Sequence, residues 1–350
     1  MNRTYLLPLA AVLFLSGCSA QTKQKEAVLE TAAAAGAGTN QPAPSLSPSP
    51  QNAPSGTPSV SAVSGSLALK PLGAAGELAS YYDRHLAVKD GVLYGWSGNG
   101  KPQRLLEDAL QAGVGETTNY ALLKDGRLIG WEGDEPGKAA TLSDDVVNFS
   151  AGKTGVFAVK KDGSLWRFDA PGKPGTEVAK NVVYSSIGDG ADYYITVQGD
   201  LYVKGLAHRG QYGDGKLEST DDFAKVASNA VQVRGHTGHA IMLLSGGDVQ
   251  GTGGNIYGPL GTHGLGDKAT TWGTIFSGAS MIATGSSHSV AVKEDGTLWI
   301  WGANEGTKPR KVQELERVVS VAAGKDATLA KTEDGAVWFW RTGKTPEKIL

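Results

Sequence analysis

The chain has 350 residues, enough for one large or two ordinary domains with a sizeable core. Its 33 Lys plus Arg nearly balance 35 Asp plus Glu, so composition gives no electrostatic case for nucleic acid binding. The 49 glycines are scattered rather than placed at every third residue, which excludes collagen; with the many Val, Ile, Trp and Tyr they predict short strands joined by tight turns.

The chain opens "MNRTYLLPLAAVLFLSGCSA". Arg3 is followed by an apolar run over residues 6–15, short for a membrane span but suited to the core of a signal peptide. "LSGC" at 15–18 resembles the lipobox of bacterial lipoprotein signal peptides. The resemblance implies a signal peptide over 1–17, cleavage before Cys18 and lipid on its sulfur. Acyl chains there would hold the protein at the extracytoplasmic face of a membrane, the outer membrane in a Gram-negative cell, with no spanning helix. Cys18 is the only cysteine, so no internal disulfide forms.

Residues 18–66 read as a linker. Large apolar side chains are scarce, and six prolines fall between Pro42 and Pro58. Such a segment cannot bury enough surface to offset the entropy of ordering, and a disordered tether is expected. As a coil it spans about 40 Å, and fully stretched about 150 Å.

Residues 67–350 repeat themselves. "VKDGVLYGW" (88–96), "LKDGRLIGW" (123–131), "KKDGSLWRF" (160–168), "KEDGTLWIW" (293–301) and "KTEDGAVWFW" (331–340) are near copies. The turn glycines are Gly91, Gly126, Gly163, Gly199, Gly247, Gly296 and Gly335. A second glycine ends an apolar stretch 11 or 12 residues earlier: Gly115, Gly152, Gly188, Gly235, Gly285 and Gly324, with Ser80 in that place in the first unit. Each unit contains two apolar strands, an Asp-Gly or Gly-Asp hairpin between the second and third, and a fourth strand after a Gly/Pro-containing connection. Four strands repeated seven times predict an all-β fold, a seven-bladed β-propeller. Because the chain ends in phase, the C-terminal strand is expected to pair with the segment near 67–82.

"GSSHSVAVKEDGTLWIWGAN" (285–304) resembles the regulator-of-chromosome-condensation repeat, and "HRGQYGDG" (208–215) resembles its tail. The resemblance implies the same seven-bladed fold. The other units mostly lack that tail, and no long insertion resembles the nucleotide-exchange element of the family's eukaryotic founder, so that activity is not expected.

Several residues are candidates for function. Aromatics alternate along the third strands, so Trp299 and Trp301 share a face, as do Trp338 and Trp340, Trp166 and Phe168, and Tyr94 and Trp96. The first of each pair is expected in the core. The second, with Trp131, predicts a ring of Trp96, Trp131, Phe168, Trp301 and Trp340 around one end as a binding face. The longer units four and five, over 204–223 and 251–276, add exposed-looking Tyr212, Tyr257 and Trp272, along with His208 and His263. "HTGH" (236–239) suggests a metal pair, but residues three apart on a strand point to opposite faces, and no metal or cofactor is expected. His239 and His288 are expected to bond backbone between strands, and Asp189 and Asp192 to be solvated turn residues rather than Ca²⁺ ligands. "GLGDKA" (264–269) has no following helix to hold a pyrophosphate.

The expected function is a non-catalytic, lipid-anchored surface module, a monomer presenting loops to a protein or envelope ligand. Two alternatives stay open. One is an inhibitor of a β-lactamase or penicillin-binding protein, by resemblance to propeller inhibitors with short repeats. The other is a lyase or hydrolase acting on envelope glycan.

Overall fold

In the computed structural model, which describes residues 76–350 apart from 134, 264 and 265, the repeated turns are hairpins. The expected signal peptide, Cys18 and the tether lie outside the described residues. All seven turn glycines have positive φ, from 77° at Gly296 to 88° at Gly126, where a side chain would be strained. The aspartates beside them fold back on the turn. Asp162 accepts the Ser164 N–H and Asp295 the Thr297 N–H, both at 2.9 Å. This is why the repeat writes Asp there: its carboxylate closes the turn that glycine permits.

The strands form seven four-stranded antiparallel sheets, each a simple meander. They are blades 1 to 7, over residues 78–106, 109–143, 146–179, 182–227, 230–276, 279–311 and 318–348. The expected seven-bladed propeller is the observed fold. The core lies between blades. One apolar cluster fills each junction, and the cluster between blades 7 and 1 joins Leu78 and Trp96 to Leu329 and Phe339, which closes the ring.

The two glycine series mark the two faces of this ring. At one face the turn glycine's carbonyl accepts the first N–H of the next blade's innermost strand. Ala109, Val146, Val182, Ala230, Ala279 and Val318 donate to Gly91, Gly126, Gly163, Gly199, Gly247 and Gly296, at 2.9 to 3.0 Å. At the other face the strand-end glycines let neighbouring innermost strands come close. A side chain at Gly115 would meet the Gly152 carbonyl oxygen at 2.7 Å, and one at Gly324 would collide with Ser80.

Over the described part of the segment near 67–82, ring closure differs from the expectation; residues 67–75 lie outside the described residues. Blade 7 takes its outermost strand, Glu347–Lys348, from its own end, and blade 1 begins with its own innermost strand, Leu78–Tyr81. Among the described residues no strand is shared. Side chains join the two blades instead. Lys331 pairs with Glu77 at 2.9 Å and also reaches the Val88 carbonyl, while Arg341 reaches Asp83 at 2.8 Å and Asn99 at 3.2 Å. The reason is phase: the repeat starts and stops at a blade boundary, so each sheet is complete without exchange.

In an antiparallel meander the first-to-second and third-to-fourth connections leave from the same end. The long connections of blades 4 and 5, residues 206–219 and 255–267, therefore lie on the same face as the strand-end glycines. We call this the loop face, and the opposite one the turn face.

Candidate functional site

The expected aromatic ring is interior, not a surface. Trp96, Trp131, Phe168, Trp301 and Trp340 are all buried, Trp301 completely. Each lies in the apolar cluster that its blade shares with the preceding one. Trp301 lies under the long connection of blade 5, donating its indole N–H to the Pro259 carbonyl at 2.7 Å and stacking on Phe276. The first aromatic of each pair is the more exposed one, reversing the expectation. Trp166 and Trp299 are half-buried beside the turns, with Lys160 and Lys293 over their rings at 4.6 and 5.1 Å. Tyr212 is also buried, its hydroxyl donating to the Gly205 carbonyl at 2.7 Å. Trp272 is half-buried against Gly213. Of the eight aromatics singled out, Tyr257 is the one that projects, at 62% exposure.

The histidines are structural links of a kind not foreseen. His239 and His288 bond hydroxyls of the next blade rather than backbone. His239 Nε2 meets the Ser289 hydroxyl at 3.3 Å; that hydroxyl donates to the Pro259 carbonyl, so the imidazole is the donor. His288 Nε2 meets the Thr328 hydroxyl at 3.0 Å. In blade 1, His85 Nδ1 pairs with Ser80 at 2.9 Å. The two histidines of "HTGH" do not converge: His239 is sealed between blades and His236 faces the ring axis. Among the described residues no three His, Cys, Asp or Glu side chains converge as metal ligands. Asp192 is not a solvated turn residue. It pairs with Arg167 of blade 3 at 2.9 Å, and its burial raises its carboxyl pKa.

Asp189 belongs to a group at the axis. Tyr81, Asp189 and His236 line the axial cavity: by strand register Tyr81 and His236 stand in the place of the strand-end glycine in blades 1 and 5, and Asp189 follows Gly188 in blade 4. Tyr81 lies near Asp189, and its ring lies nearly parallel to that of His236, 6.4 Å between centroids. Burial, then the Asp189 charge, pushes the Tyr81 phenol far above its usual range. Burial pulls His236 below its ordinary value, against the pull of Asp189 at 3.9 Å. The sequence signal for His236 was available: Gly235 lies 12 residues before its turn glycine where the others lie 11, so His236 stands at the glycine's place.

Around this mouth the loop face carries exposed apolar side chains. Tyr82 is on a first-to-second connection; Leu206, Leu217, Ile256 and Tyr257 are on the two long connections of blades 4 and 5. Sequence reading found Tyr257 and missed the other four, because nothing local distinguishes an exposed leucine from a buried one.

Comparison with known proteins agrees with this architecture. Residues 282–305 match the regulator of chromosome condensation (RCC1) repeat. The class is thus a seven-bladed β-propeller carrying an RCC1-type repeat. Prp20p from Saccharomyces cerevisiae is similar in structure, with 15% identity and a TM-score of 0.62 over 71% of this chain and 80% of that one. Human WBSCR16 gives 15% identity and a TM-score of 0.62 over 73% and 86%. PorZ, a surface component of the type-IX secretion system of Porphyromonas gingivalis, gives 13% and 0.53 over 79% of this chain and 38% of its own. These identities establish a shared fold. No curated protein sequence matches the chain.

Proposed function

We propose that the loop face docks a protein partner, and that Cys18 anchors the chain to a membrane. The observation that carries the reading is the exposure of Ile256 and Tyr257, 59% and 62%, at the tip of a long connection on a closed ring. A projecting aromatic on a rigid scaffold is the usual anchor of a protein interface. Prp20p, of the same fold, is described with its binding to Gsp1p and histones, which supports protein recognition as a use of this architecture. The chain enters blade 1 from the turn face, where the Gly76 carbonyl accepts the Ala112 N–H at 2.6 Å.

The test is photo-crosslinking in the source cell with the reactive group at residue 257, or at residue 197 on the turn face. A discrete adduct from 257, absent from 197 and abolished by Ile256→Ser, is expected. Equal adducts from both faces, or none from 257, would overturn loop-face docking. For the anchor, Cys18→Ser is expected to move the protein from the membrane fraction to the soluble fraction, and its retention on the membrane would refute lipidation.

A further inference from the structure

Leu110, Val147 and Val197 are exposed apolar side chains of the turn face, at 45%, 48% and 44%, apart from the loop-face group. Two of them belong to a repeated feature. In blades 2 to 7 the innermost strand carries a β-bulge at its second residue. Leu110, Val147, Val183, Val231, Ser280 and Val319 are each passed over in the pairing with the second strand. A bulge re-aims its side chain out of the ladder, and nothing in that backbone geometry asks for an apolar one. Yet five of these six residues are aliphatic. Val147, Val183 and Val231 line the axial cavity together with Val197 of the blade 4 hairpin. They form an apolar collar at the turn-face end of the axis, and contiguous exposed apolar surface of this kind marks a site of contact.

A candidate cover lies in the chain itself. Gly76, where the chain enters blade 1, lines the same cavity as the collar. Immediately before it, outside the described residues, the sequence reads "SLALKPLGAA" (66–75). Residues 31–66 hold one leucine, whereas residues 67–72 hold three. Leu67 and Leu69 alternate with Ala68 and Lys70, so an extended backbone sets both leucines on one side and Lys70 on the other. Leu72 is four residues from Gly76 and Leu67 nine, a reach of at most about 14 Å and about 30 Å. So short a connection gives the segment a roughly millimolar effective concentration at the collar.

We infer that residues 67–72 dock on the collar, their leucines covering Val147, Val183, Val197 and Val231, so that the chain's own entry segment closes the turn-face end of the axial cavity. This contact depends neither on loop-face docking nor on Cys18.

The test is methyl NMR on the full chain with labelled leucine and valine, carrying Cys18→Ser to keep it in solution. The segment's signals are identified by their loss in Leu67→Ile, Leu69→Ile and Leu72→Ile. Nuclear Overhauser cross-peaks from these leucines to Val147, Val183, Val197 or Val231 are expected, unchanged on tenfold dilution. In Val147→Ser/Val197→Ser, which alters two exposed side chains, the cross-peaks are expected to vanish and the three leucine signals to move to the shifts of a synthetic peptide of residues 60–75. Absence of cross-peaks to the collar, cross-peaks to Leu350 of blade 7 in their place, or loss on dilution, which would mark docking by a second copy, would each overturn the assignment. If the double variant does not fold, the cross-peaks of the unsubstituted collar and their response to dilution decide.

Discussion

Three buried histidines make this protein's stability depend on pH. Burial, the leading cause in each case, lowers His85 to about 4 and His239 and His288 to about 3, against about 6.5 in an unfolded chain. Below pH 6.5 the unfolded chain takes up protons that the fold refuses. Stability from these groups is therefore complete above pH 6.5 and is lost as pH falls toward 4. The slope is about 1.4 kcal/mol per pH unit per histidine, so about 4 kcal/mol per unit for three. Urea midpoints at pH 7, 6 and 5 are expected to fall steeply, with a shallower decline in His288→Asn; a flat profile would show that the imidazoles titrate freely. The aromatics divide at the same scale. Trp301→Ala removes a fully buried indole and is expected to destabilise by about 3–5 kcal/mol in urea denaturation. Tyr257→Ser, at an exposed tip, is expected to stay within about 0.5 kcal/mol while abolishing partner capture.

Among the elements, the hairpins and the strand ends use glycine for different reasons. Gly335 has φ of 79° and open space around its missing side chain. Gly335→Ala therefore meets only backbone strain, about 1–2 kcal/mol. Gly285 does not have a left-handed backbone; a methyl there would collide with the Gly324 carbonyl and the His288 ring. That carbonyl belongs to the next blade and cannot retreat without widening the ring. Gly285→Ala is expected to lower the thermal midpoint more than Gly335→Ala does, and the reverse order would refute the close-packing role of the strand-end series. The turns were legible in the sequence because a turn is decided by residues within a few positions of it. The spacing between the two series was also legible, although its meaning was not. The turn glycine's carbonyl holds the next blade, and the strand-end glycine lets that blade come near, a contact that is invisible until the blades stand side by side.

For the molecule as a whole, closure is the distinctive event. Six junctions are stitched by a backbone bond from the turn glycine. Blades 7 and 1 are joined chiefly by the apolar cluster around Trp96 and Phe339 and by the polar contacts of Lys331 and Arg341. Arg341 also holds Asp326 of its own blade at 2.5 Å. Arg341→Gln is expected to destabilise by about 1–2 kcal/mol and to speed amide exchange selectively in the innermost strands of blades 1 and 7. Arg127→Gln, which loses only an exposed pair with Asp125 inside one turn, is expected to do neither. Uniform exchange around the ring in Arg341→Gln would show that closure is no weaker than the other junctions.

By itself the sequence determined the period, the four strands of each unit, the hairpin chemistry and hence the number of blades, because each follows from local backbone preference repeated at fixed spacing. The tertiary structure decided what depends on depth and on convergence. It placed Trp301 beneath a neighbouring blade's connection and Trp340 in the apolar cluster between blades 6 and 7, instead of at a surface. Among the described residues, it closed the ring without a shared strand. It also brought Tyr81, Asp189 and His236 together at the axis, since residues so far apart in the chain become neighbours only when a closed ring sets the innermost strands of blades 1, 4 and 5 around one cavity.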